Sequence, residues 1–143
     1  MKIICSKTPF SCNAVRYFLP IIRQQLKKEE PKITYGQLLE TAQKNGLKGG
    51  TPMGLSNSLN LMNCFSMNIL KNPNFNPAVL VVNQTTRRPG AGFYSVWGEG
   101  KYQESQLVEL LFKTTEEKWQ ILFESLNTLN YKDHHYISAW TNT

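Results

Sequence analysis

The residue types best suited to chemistry in this 143-residue chain are three cysteines, two histidines and a pair of adjacent arginines. Cys12 falls near a helix start, where a thiolate gains from the positive end of the helix dipole. No histidine neighbours it in sequence to act as a base, so a nucleophilic role has little behind it. Cys5, Cys12 and Cys64 are odd in number and form no Cys-x-x-Cys unit, which reads as reduced, buried or half-buried thiols in a cytoplasmic protein. Asp133-His134-His135 groups metal-ligating types, but adjacent side chains diverge on a helix or strand and no third ligand is spaced nearby. No metal is expected. Gly49-Gly50-Thr51 lacks the Lys-Ser/Thr pair of a phosphate loop and reads as the start of a helix, so no cofactor is expected either. Arg87-Arg88, followed by Pro89-Gly90, is the sharpest binding feature. Guanidinium forks grip phosphates bidentately, although a solvated loop tip needs polar residues too.

The net charge of +6 is uneven. Residues 1–50 hold nine Lys/Arg against three Glu, residues 51–100 three against one, and residues 101–143 four against six acidic groups. A basic amino-terminal two-thirds with a mildly acidic tail suggests one face turned to a polyanion. A hydrophobic fraction of 41% with 18% charged residues fits one globular domain over residues 1–143 and excludes the highly charged disordered class. No apolar run approaches the roughly 20 residues that span a bilayer, and the amino terminus is too quickly polar for a secretory signal.

The elements that must position these residues follow from periodicity. From Ser11, a possible cap, Val15, Phe18, Leu19, Ile22 and Leu26 fall at helical spacing, with Pro20 expected to kink or split the helix. Ile33-Thr34-Tyr35 reads as a short strand, Gly36 as a turn, and 37–44 as a helix closed by Asn45-Gly46. Thr51 and Pro52 read as cap and first residue of a helix reaching Leu70. Ala78 to Val82 reads as a buried strand, 84–90 as a loop with a type II turn at Pro89-Gly90, and Phe93 to Trp97 as the returning strand. Leu107, Leu110 and Leu111 mark a short helix, and a capping box at Thr114-Thr115-Glu116-Glu117 opens another that buries Trp119, Leu122, Phe123, Leu126 and Leu129. The order is that of a winged helix. The expected fold class is α+β, with a winged helix-turn-helix core over about 11–97 and a helical extension over about 104–143.

Helix 52–70 carries no charge before Lys71. Its Ser56, Asn57, Asn60, Asn63 and Asn68 are polar, and Asn57, Asn60 and Asn63 recur every third residue, as if lining one face. Asn reads adenine bidentately in a major groove. Its Met53, Leu61, Met62, Cys64, Phe65 and Met67 exceed one core stripe, which suggests a protein partner or a second subunit.

Three segments resemble the DNA-binding domain of the alkylguanine-DNA alkyltransferases and alkyltransferase-like proteins. Ile33-Thr34-Tyr35-Gly36 is similar to the Thr-Tyr-Gly that opens that domain's second helix. Thr51-Pro52-Met53-Gly54 lies where the family has Arg-Ala-Val-Gly. Pro77 to Asn83 lies where it has Pro-Cys-His-Arg-Val-Val-Asn, and Gly90 to Tyr94 resembles its glycine-rich return. The resemblance covers roughly 33–95 and implies a DNA-binding scaffold, with Tyr35 kept from the DNA-contact set or serving as a packing residue. It also implies loss of the reaction. The nucleophilic Cys corresponds to Ala78, the His to Val79 and the Arg to Leu80, while Thr51 replaces the arginine that fills the gap of a flipped base. Tyr17-Phe18-Leu19-Pro20 is similar to a helix that stand-alone bacterial and phage proteins join to such a domain.

Two functions are therefore expected of different kinds. One is a non-catalytic protein that binds double-stranded DNA through Tyr35, Lys44, Lys48, Thr51, Ser56, Asn57, Asn60, Arg87 and Arg88. The other is a protein-interaction module, an inhibitor or adaptor in phage–host conflict, that meets its partner through helix 52–70. Neither involves a membrane.

Overall fold

A computed structural model describes residues 4–51, 55–90, 93, 104–132 and 135–137. The described residues are mostly helical, with two small two-stranded sheets among them. In chain order the elements are β1 (Ile4–Ser6), α1 (Pro9–Gln25), β2 (Ile33–Thr34), α2 (Tyr35–Lys44), α3 (Leu55–Leu70), a 3-10 turn (Pro77–Leu80), β3 (Val81–Val82), α4 (Glu104–Lys113), α5 (Glu116–Ser125), a second 3-10 turn (Leu126–Thr128) and β4 (His135–Ile137). Antiparallel β1 and β4 join Ile4 to Ile137, and parallel β2 and β3 join Ile33 to Val81.

α1 starts earlier than its apolar spacing suggests. Thr8, not Ser11, is the cap. Its hydroxyl accepts from the Ser11 N–H, and the Ser11 hydroxyl accepts from the Thr8 N–H. The helix then runs through Pro20 without a break. An interior proline costs about 3 kcal/mol, but Phe18, Leu19, Ile21 and Ile22 are buried on both sides of it and hold one helix in place. α2 likewise opens with a capping box, Thr34 with Gln37, so Gly36 lies inside the helix rather than in a turn before it. Asn45 and Gly46 close α2 as expected. Gly46 has a φ of 120° and the Leu47 N–H donates to the Ala42 carbonyl.

The expected strand from Ala78 is mostly a 3-10 turn. Pro77 starts it, and the Asn63 side chain takes the Ala78 N–H at 3.0 Å, which removes that group from any ladder. Only Val81–Val82 is extended, and it pairs with β2. Phe93 also departs from the expected return strand. It lies in a helical turn, its N–H donating to the Gly90 carbonyl, and residues 94–97 lie outside the described set. α5 is capped by Thr115, which accepts from the Lys118 N–H, so the expected box begins one residue later and has no Glu at its third position. Thr114 instead donates its hydroxyl to the Leu110 carbonyl.

α3 is the central element. It packs on α1, α5, β1 and the Pro77–Leu80 turn, and one apolar core takes in residues from Cys5 to Leu129. Trp119 fills the space beside it, edge-on to Phe75 at 5.3 Å, with the Arg23 guanidinium over its ring at 5.4 Å.

Candidate functional site

Burial of α3 decides which of its residues can meet a ligand. Leu55, Leu59, Leu61, Met62, Cys64, Phe65 and Met67 are all buried. Of the apolar excess, Leu61, Met62, Cys64, Phe65 and Met67 are therefore core and do not form the expected protein-binding face of helix 52–70, while Met53 lies outside the described residues; α1, α5, β1, β4 and the Pro77–Leu80 turn enclose the helix. Asn63 is buried too and serves the Ala78 amide, so the row of Asn57, Asn60 and Asn63 does not form one open face. What reaches the surface from the amino-terminal half is an edge of exposed Ser56 with half-buried Asn57 and Asn60.

Tyr35, Ser56, Leu59, Asn60, Ala78 and Phe93 converge on one recess of about 10 Å³. That is room for about a single water, not for a base. Ala78 lines the recess with a methyl group. Tyr35 links the recess to the neighbouring loop, its hydroxyl accepting from the Gly90 N–H at 2.7 Å. A Cβ on Gly90 would lie 3.0 Å from that oxygen, so any larger residue there would press the Tyr35 hydroxyl back by a few tenths of an ångström. The left-handed residue of the loop is Arg87, with a φ of 58°; Gly90 lies outside that region, so Pro89-Gly90 is not the type II turn expected.

The loop itself is closed tightly. The Asn83 N–H donates to the Arg88 carbonyl at 2.8 Å and the Arg87 N–H to the Asn83 carbonyl at 2.9 Å. The Asn83 side chain accepts from the Thr85 N–H at 2.8 Å. The two arginines do not make a paired clamp. Arg88 turns to α4 and binds Glu104 at 3.0 Å. Arg87 turns the other way, to a groove between α1 and α2, where Glu30 is 4.0 Å away. A left-handed residue between Thr86 and Arg88 swings the neighbouring side chains apart.

That groove is the site that the sequence did not reveal. It measures about 560 Å³ and is walled by Pro20, Ile21, Gln24, Gln25 and Lys28 from α1 and its end, by Gln37, Thr41 and Asn45 from one stripe of α2, and by Glu30, Lys32, Ile33 and Arg87. Lys32 Nζ donates to the Arg87 carbonyl at 3.0 Å and ties the loop to its rim. The i, i+4, i+8 spacing of Gln37, Thr41 and Asn45 was the available signal.

Thr51, Lys44 and Lys48 are exposed, but Lys44 pairs with Glu40 on its own helix at 3.1 Å, and Lys48 borders a separate recess with Asn13, Arg16 and Tyr17. Tyr35, Ser56 and Asn60 are thus the expected residues that the fold brings together, joined through Tyr35 to Gly90.

The cysteines are free and buried. Burial raises the Cys12 thiol above its ordinary pKa, which outweighs the lowering by Arg16 and Lys7. Its helix-start position does not activate it. Asp133 and His134 lie outside the described set, and among the described residues no three metal-ligating side chains are grouped to hold an ion. No helix among them is long and apolar enough to cross a membrane. Comparison of the chain with family models, curated proteins and solved structures finds no match in any of the three.

Proposed function

We propose that this is a non-catalytic, cytoplasmic protein that binds double-stranded DNA, with α2 and α3 as the helix-turn-helix of an alkyltransferase-like winged helix. The observation that carries this reading is the edge of α3. The helix buries its apolar residues and leaves Ser56, Asn57 and Asn60 at the surface beside Tyr35. Small neutral polar side chains on a rigid helix suit hydrogen bonding to base edges in a major groove. Lys44 and Lys48, exposed at the far end of α2, supply phosphate contacts. The closed recess at Ala78 supports a role without base flipping, since a flipped base needs a pocket.

Fluorescence anisotropy of a labelled 20-base-pair duplex tests this. Binding is expected with a Kd on the order of 10⁻⁴–10⁻⁶ M, weakening steeply between 50 and 200 mM salt. Asn57→Ala/Asn60→Ala is expected to lower affinity at all salt concentrations, and Lys44→Ala/Lys48→Ala to lower the salt slope by about 2. Absence of binding at 50 mM salt would sink the reading.

A second reading, a protein-interaction module, keeps one observation in its favour. Phe112 is 52% exposed and lines, with Val108 of the same helix, a recess of about 510 Å³ that also touches Lys32 and Glu104. The partner-binding face then belongs to α4, not to helix 52–70. Pull-down from a bacterial lysate before and after nuclease treatment separates the readings. Capture that survives nuclease and is lost in Phe112→Ser supports the second.

A further inference from the structure

We propose that the groove between α1 and α2 binds a phosphorylated small molecule of mononucleotide size, with Arg87, Lys32 and Lys28 holding its phosphate. The inference goes beyond the duplex reading and does not depend on it. The groove belongs to α1, α2 and the Asn83–Arg88 loop, and the edge of α3 takes no part in it.

Size and lining suit such a ligand. About 560 Å³ lies within the range of pockets that hold small organic molecules. Ile21 and Ile33, 7% and 5% exposed, show the groove a narrow apolar strip over which the flat part of a base would lie. The amide and hydroxyl stripe of Gln37, Thr41 and Asn45 offers both donors and acceptors to its polar edge. Three cations against the one carboxylate of Glu30 leave a surplus of two positive charges, the charge that a phosphate dianion neutralises. α1 ends on this groove and α2 runs along it from Gln37 to its C-cap Asn45, so the helix ends add no net positive charge and the cationic side chains set the potential.

Preorganisation is the stronger argument. Arg87 is one of two described residues other than glycine with positive φ. The other, Lys71, follows the end of α3, where the Asn72 N–H reaches back to the Met67 carbonyl and a left-handed residue is the usual helix stop. Arg87 follows only the single turn 84–86, not a helix. It is held left-handed by the closure between Asn83 and Arg88 and by Lys32 gripping its carbonyl, a position that glycine or asparagine would fill with less strain. Lys32 and Arg87 are thereby fixed side by side on the groove. The Arg87–Glu30 pair, at 4.0 Å and largely solvated, is loose enough to yield to a bidentate phosphate.

The test uses the full chain with AMP, GMP, CMP and UMP, and with inorganic phosphate and adenosine as part-ligands, by calorimetric titration and thermal shift. Arg87→Gly is the decisive variant, because it relieves the backbone while removing the guanidinium. At least one mononucleotide is expected to bind and to raise the melting temperature, at least tenfold more tightly than phosphate or adenosine alone. Arg87→Gly is expected to melt no lower than the native chain and to lose at least tenfold in that affinity; Lys32→Gln should lose affinity in the same direction. The proposal is overturned if no mononucleotide binds at millimolar concentration, if Arg87→Gly binds as the native chain does, or if phosphate alone accounts for the binding. It is equally overturned if Arg87→Gly weakens duplex binding and leaves every mononucleotide unaffected, since Arg87 then serves nucleic acid. Duplex binding of the native chain, measured in parallel, stands or falls separately.

Discussion

α3 and the Asn83–Arg88 loop treat their polar groups in opposite ways. In α3 a side chain serves the backbone: Asn63, fully buried, spends its carbonyl oxygen on the amide of Ala78 and thereby shapes the 3-10 turn. In the loop the backbone serves a side chain: three hydrogen bonds fix Arg87 in a left-handed conformation and aim its guanidinium into the groove. One region trades polarity for packing, and the other accepts backbone strain to place a charge. The contrast teaches that the number of polar residues in an element says little about its exposure until their partners are known.

Substitutions probe this contrast at graded cost. The largest effect belongs to the interior. Phe65→Ala is expected to lower stability by about 3–5 kcal/mol in urea unfolding, the cost of a large cavity beside close-packed neighbours. A surface-like loss would break the view of α3 as core. Asn63→Ala should cost about 1–3 kcal/mol, because the buried Ala78 amide loses its acceptor. Tyr35→Phe is expected to cost about 0.5–1.5 kcal/mol through the Gly90 amide, with the loop's amides exchanging faster by hydrogen exchange. Smallest is Arg87→Gly, whose stability should stay level or rise by up to about 1 kcal/mol as the strain is relieved. A marked loss there would mean that the guanidinium holds the loop together instead of being displayed by it.

Much of the helical framework was legible. Val15, Phe18, Leu19, Ile22 and Leu26, picked by spacing alone, are all buried, as are Trp119, Leu122, Leu126 and Leu129. Periodicity reports one face well. It failed on α3, where burial on nearly every side removes the contrast between faces that spacing relies on. Ala78 to Val82 misled for a related reason, since a buried strand and a buried 3-10 turn share a continuous apolar run; the deciding group, Asn63, lies fifteen residues upstream. The turn at Pro89-Gly90 was misplaced because glycine normally marks positive φ, and here that burden falls on an arginine. The groove was least legible, because residues 20–28, 30–33, 37–45 and Arg87 meet only after folding.

The β1–β4 sheet has a kinetic consequence. Pairing Ile4 with Ile137 closes a loop of nearly the entire described chain, an entropic cost that later contacts must repay. Folding should therefore seat α1, α2 and α3 first and zip this sheet last, and native-state opening should start there. Cys5 sits on β1, buried, with its thiol directed to the Asn60 carbonyl at 3.5 Å. Its rate of labelling by a thiol reagent then becomes a clock for the sheet, counting local openings that leave the helices intact.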